Sequence, residues 1–141
     1  AGKSGSYNTM TASWGGMGVL WGKNVTFVFI RPQRYTLEFV DREEYYTLSF
    51  FPKEYKPALA YCGAHSGRDV DKEQETGLTS VFDESAPYFE QANLVFVCRK
   101  LHRQQIDPAC FLSLAEDKEW YPEKDYHYVF TGEIVKVLKR D

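Results

Sequence analysis

Three short segments carry side chains that could bind a ligand. The first is Arg31, Arg34 and Thr36. Two guanidiniums flank a turn starting at Thr36, where free backbone N–H groups and a hydroxyl favour an anion such as phosphate. The same arginines could instead pair with Glu38 and Asp41 on a solvated face. The second segment is Ser66-Gly67-Arg68-Asp69-Val70-Asp71-Lys72. A hydroxyl, a glycine and two cations could cradle an anion. The same pattern also describes a capped helix with charges facing solvent. The third is Asn8-Thr9-Met10-Thr11-Ala12-Ser13-Trp14. Its small hydroxyl residues could let backbone amides reach the edge of a planar ligand beside Trp14. A strand edge with a buried Trp accounts for it at least as well.

Other chemistries find no constellation. His65, His102 and His127 lack metal-ligand spacing, so no metal site is expected. No G-x-S-x-G elbow occurs, nor a G-x-G-x-x-G after a strand. Cys62, Cys98 and Cys110 form no C-x-x-C pair and are odd in number. Reduced thiols and a cytoplasmic location are the expectation, with Cys62 an inert thiol. No catalytic side chain can be assigned.

The chain of 141 residues suits one domain, residues 1–141. With Lys plus Arg at 17 and Asp plus Glu at 20, the net charge of -3 argues against nucleic acid as a partner. No run approaches the roughly 20 apolar residues of a membrane span. Aromatic residues make up 16%, which points to a β-rich domain with rings available to wall a planar ligand.

The elements that must position these segments are mostly strands. Val25–Ile30 reads as a strand buried on both faces, and Tyr45–Phe51 and Leu94–Val97 read the same way. Tyr126–Leu138 reads as one long strand in which Gly132 marks a bulge or a close backbone approach. A first strand is expected over Tyr7–Trp14. Short helices are expected from Thr36, from Pro57 to a stop at Gly63, over Arg68–Glu75 behind a Ser66/Asp69 capping box, and from Asp107-Pro108 to Ala115. Strands with helices in their connections suggest a small β-barrel.

Asn8–Trp14 (NTMTASW), Arg31–Thr36 (RPQRYT), Tyr45–Phe51 (YYTLSFF) and Ser66–Lys72 (SGRDVDK) stand in the order found in flavin reductase-like proteins. The chain resembles that family from about Asn8 to about Val137, and its flavoredoxin branch most. The resemblance implies a mainly β fold, an FMN-binding split β-barrel of Greek-key type with short helices in the connections. It implies FMN as cofactor, in a homodimer with the flavin near the subunit interface. Asn8, Met10, Thr11, Ala12, Ser13 and Trp14 would line the flavin and ribityl chain. Arg34, Tyr35 and Thr36 would surround the phosphate end, Ser66 and Lys72 would lie near the cofactor, and His127 would approach the flavin. Family members usually carry a further strand before the NTMTASW-like motif, so a short N-terminal segment is expected to be missing here.

The implied function is an oxidoreductase of the flavin reductase type. Electrons would pass from NADH, NADPH or a redox-protein donor through FMN to an acceptor. A non-enzymatic, flavoredoxin-like electron carrier is the alternative.

Overall fold

Runs of β-branched and aromatic residues build one five-stranded antiparallel sheet. The computed structural model describes residues 1–141. In chain order its strands and α-helices are β1 (Gly2–Lys3), β2 (Ser6–Tyr7), β3 (Gly15–Leu20), β4 (Lys23–Ile30), α1 (Thr36–Arg42), β5 (Tyr45–Phe50), α2 (Lys56–Ala64), α3 (Lys72–Thr76), β6 (Ser80–Val81), β7 (Tyr88–Phe89), β8 (Leu94–Gln105), α4 (Leu114–Trp120) and β9 (Tyr128–Lys139). The main sheet runs β3-β4-β9-β8-β5, and β1-β2 and β6-β7 are small ladders beside it.

The period of two along a strand sorts the core. Thr26, Val28 and Ile30 of β4 are buried on one face. They share that face with Tyr46 of β5, Phe96 and Cys98 of β8, and Phe130 of β9, while Val40 of α1 closes the cluster. The other face of β4 is less covered. Val25 is buried there, but Phe27 and Phe29 are only half-buried, so β4 is not the fully buried strand expected. Strand β5 is an edge, and its alternate residues are likewise half-buried.

Strands β8 and β9 are the longest elements, and β8 runs eight residues beyond the expected Val97, to Gln105. Their register shifts twice, between Val97 and Cys98 and between Lys100 and His102, which marks bulges that bend the pair. Gly132 pairs beside the second shift, opposite Lys100. A Cβ on Gly132 would lie 2.4 Å from the Tyr46 hydroxyl, so glycine is what lets that ring lie against β9.

Three further sequence expectations change. Residues 8–13 are not a strand: β2 ends at Tyr7 and β3 starts at Gly15. The Asn8 backbone still bonds Ala1 through its N–H and carbonyl, but the Asn8 side chain, the Thr9 carbonyl and the Thr11 hydroxyl are bound by the helices. Helix α3 starts at Lys72, because Asp71 caps it by accepting from the Gln74 N–H at 3.1 Å, and Gly77 in the left-handed region ends it. Ser66 accepts instead from the Arg68 N–H in a local turn. Finally, Asp107-Pro108 opens only a 3-10 turn through Cys110, and α4 follows separately. Helix α1 begins at Thr36 as expected, and Pro57 lies in the first turn of α2, which ends at Ala64, one residue past the expected stop.

The two sheet edges face one space. Gly15, Gly16 and Met17 of β3 and Tyr46–Phe50 of β5 line a mostly hydrophobic cavity of about 600 Å³. No helix is long and apolar enough to cross a membrane.

Candidate ligand-binding site

The irregular segment 8–13 is tied down by bonds from three helices. Asn8 Nδ2 donates to Thr36 Oγ1 at 2.9 Å, at the first residue of α1. Thr11 Oγ1 donates to the Leu59 carbonyl of α2. The Thr9 carbonyl accepts from Lys72 Nζ of α3 at 2.6 Å. Two glycines make room for it. A Cβ on Gly67 would lie 2.1 Å from Asn8 Oδ1, and one on Gly63 would press on Thr11 at 3.2 Å. Neither job could be read from the sequence, because each glycine answers a residue more than fifty positions away.

Segment 8–13 separates two cavities. Asn8, Met10, Thr11, Ala12, Ser13, Trp14 and Thr36 line the large one. A second, polar cavity of about 170 Å³ opens on the helix side, lined by Asn8, Met10, Arg34, Tyr35, Thr36, Ser66 and Lys72, with Gln33, Ala64 and His65 at its wall. The three segments singled out by residue type therefore converge. Asn8, Met10 and Thr36 belong to both cavities, so one elongated ligand could extend from an apolar body to a polar end.

The polar cavity is cationic. Lys72 is buried, with 8% exposure. Its Nζ donates to the carbonyls of Thr9 and Cys62, and no carboxylate pairs with it. Arg34 donates to the Gly63 carbonyl at 3.1 Å and forms no ion pair either. The two cations thus cap the last carbonyls of α2, whose partial negative charge they complement. Each keeps further N–H donors in hand, since an ammonium has three and a guanidinium five. Burial lowers the Lys72 pKa, and Arg34 adds repulsion. A buried cation without a counter-ion is costly, and an entering anion would offset that cost.

Arg31 does not join this group. Its Nη1 pairs with Asp125 Oδ2 at 2.5 Å, its Nη2 donates to the Trp120 carbonyl, and its guanidinium lies over Tyr121. Nor does it pair with Glu38 or Asp41, which are taken by Arg68 and Arg103.

His127 lines neither cavity. It is buried behind Trp14, with ring centroids 4.9 Å apart, and its Nδ1 is 2.7 Å from the Tyr121 hydroxyl. Burial and then the Arg31 charge lower its pKa, which favours the neutral ring. Trp14 is 39% exposed and meets Trp120 edge-on at 5.1 Å, so it is not a core tryptophan. All three thiols are free, with Cys62 and Cys98 buried, and burial raises the pKa of both.

Comparison with known proteins agrees with this architecture. Residues 1–141 match the family model described as flavin reductase like domain. The fold superposes on an FMN-binding protein from Thermus thermophilus solved with p-hydroxybenzaldehyde, at TM-score 0.73 and 24% identity over 95% of this chain and 65% of that one. It also superposes on flavoredoxin from Methanosarcina acetivorans, at TM-score 0.71 and 22% identity over 95% and 62%. An NADH:FAD oxidoreductase from Streptomyces globisporus, solved with NAD and FAD fragments, gives TM-score 0.67 and 15% identity over 94% and 67%. The chain thus spans just under two thirds of the length of the first two. No curated protein sequence matches it. At these identities the neighbours establish the fold, a split barrel of antiparallel strands with short helices.

Proposed function

The chain belongs to the flavin reductase-like domain family, and from that premise we propose that residues 1–141 form one FMN-binding unit. It acts as an oxidoreductase that takes electrons from a reduced nicotinamide or a redox protein and passes them to an acceptor. The observation that carries this reading is the polar cavity in which Arg34 and Lys72, neither paired with a carboxylate, meet Asn8, Thr36 and Ser66. That donor set fits a phosphate. The adjoining apolar cavity, reached along Met10–Trp14, fits a flat ring system and its polyol chain.

Bound flavin supplies the redox chemistry. The protein's part is to bind and orient. Segment 8–13 presents backbone and small side chains to the ring edge, Arg34 and Lys72 fix the phosphate, and Trp14 with His127 screens one side from water. No side chain need move a proton for hydride transfer. A homodimer belongs to this reading. Met17, Val19 and Trp21 on edge strand β3 and its turn are 60%, 75% and 59% exposed, an apolar strip that a second copy would cover.

The absorbance spectrum after reconstitution with FMN, followed by stopped-flow mixing with NADH or NADPH, tests the proposal. Rapid bleaching identifies a reductase; a bound flavin that only a protein donor reduces identifies an electron carrier. Arg34→Ala should weaken FMN binding about tenfold while changing riboflavin binding little, because one charge-assisted contact to phosphate is lost. Equal losses measured by calorimetry would remove Arg34 from the phosphate. Trp14→Ala should weaken FMN binding by roughly tenfold and raise the emission of bound flavin, with the apo melting temperature nearly unchanged, since Trp14 is partly exposed. Unaltered emission and affinity would place Trp14 away from the flavin.

A further inference from the structure

The connection between β8 and β9, residues 106–127, is held to the fold at one place. Helix α4 lies in it and buries no residue. So short a helix does not hold its place by its own hydrogen bonds, and no core packing replaces them. Tyr121, Tyr126 and His127 are the only buried residues of the connection. Between Asp107 and Asp125, the hydrogen bonds to residues outside the connection all come from Arg31 and Gln33. Arg31, the residue after β4, grips three points: the Asp125 carboxylate at 2.5 Å, the Trp120 carbonyl at 2.7 Å and the Tyr121 ring at 5.3 Å. A planar guanidinium suits this, with an N–H for each oxygen and a flat face for the ring.

What this grip positions is Trp14. That residue lines the large cavity from the irregular segment and is partly exposed. Two rings brace it, Trp120 with centroids 5.1 Å apart and His127 at 4.9 Å, and both belong to the same connection. Arg31 also seats Tyr121, whose hydroxyl lies 2.7 Å from His127 Nδ1. The grip is easy to release. Asp125 takes the bonds from Arg31 and Gln33 on Oδ2, and its Oδ1 is buried with no partner. Opening would return Oδ1 to water, which offsets part of the bonding that is lost.

Resting on the flavin reading above, we propose that Arg31 is a positioning residue of the large cavity: paired with Asp125, it latches the β8–β9 connection so that Trp120 holds Trp14 against the flavin. Releasing the latch frees the Trp14 ring and uncovers that side of the flavin.

The test starts from the full chain without flavin. Two indoles in edge-to-face contact give an exciton couplet in far-ultraviolet circular dichroism, and Trp21 does not supply it, because its ring neighbour is His102. The couplet should be present in wild type and absent in Trp120→Ala. Arg31→Met keeps an apolar body over Tyr121 and removes both hydrogen bonds. It should weaken the couplet at least about twofold at a temperature where its melting curve shows it folded. Asp125→Ala should do the same. With FMN bound, Arg31→Met should raise flavin emission, as Trp14→Ala does, and combining the two should raise it no further than Trp14→Ala alone. A couplet missing from wild type, or undiminished in Arg31→Met and Asp125→Ala, overturns the latch. So does a loss of FMN affinity in Arg31→Met more than about tenfold greater than the loss of riboflavin affinity, which would put Arg31 on the phosphate. If wild type binds neither flavin, the flavin reading falls, and the couplet still decides whether Arg31 holds Trp120 on Trp14.

Discussion

Gly132→Ala should lower the melting temperature by about 10 °C, the largest stability effect expected of so small a change. The added methyl would sit 2.4 Å from the Tyr46 hydroxyl and 2.7 Å from the ring carbon that bears it. Strand β9 is fixed by pairing on both sides, to β4 and to β8, so the backbone cannot retreat. Tyr46 must move instead. It is 3% exposed, and its hydroxyl lies 2.7 Å from Thr26 Oγ1, itself fully buried. Displacing the ring overpacks the core and breaks that bond, which together cost about 3 kcal/mol. Adding Tyr46→Phe removes the atom nearest the new methyl. The double variant should therefore lose less than the sum of the two single losses. Strict additivity in thermal melts would mean that the two residues do not touch.

That contact shows where the sequence was legible and where it was not. Gly132 was recognisable as a bulge or a close approach, because a glycine inside an alternating strand needs a reason. Tyr46 as the reason was not, since it lies on a strand 86 positions earlier in the chain. The same division holds at the site. Residue types alone marked Arg34, Thr36, Ser66, Lys72 and the Asn8–Trp14 segment. They equally marked Arg31, whose pairing with Asp125 depends on how the connection between β8 and β9 folds back. Segment 8–13 misled as a strand for a related reason. Its composition is compatible with extended structure, but Thr9, Thr11 and Asn8 are claimed by α3, α2 and α1. Local propensity cannot register bonds that only tertiary packing supplies. Helix α3 differed at its start because Asp71, five residues beyond the expected cap Ser66, offered its carboxylate to the Gln74 N–H.

Lys72→Met should weaken FMN binding about 100-fold, about 2.7 kcal/mol, while riboflavin affinity changes only a few-fold. Methionine keeps the length and apolar body of the side chain and removes the charge. Lys72 is the most enclosed cation of the polar cavity, and a charge-assisted bond to phosphate gains most where water is excluded. The lost bonds to the Thr9 and Cys62 carbonyls reduce stability of the free protein as well, so a melting curve must accompany the titration. Alkaline pH gives an independent reading. Burial holds the Lys72 pKa in the folded protein below its ordinary value of 10.5. Between the folded and unfolded values the unfolded chain binds more protons, so this lysine makes the free protein more stable as pH rises through that window. Phosphate binding has the opposite preference, because it favours the charged ammonium. FMN affinity should therefore fall as pH rises through the folded Lys72 pKa, below 10.5, and riboflavin affinity should not. In Lys72→Met both dependences should flatten. An FMN affinity that declines with pH equally in wild type and Lys72→Met would show that another group carries the proton, and an equal loss of both flavins would show that Lys72 only holds segment 8–13 in place.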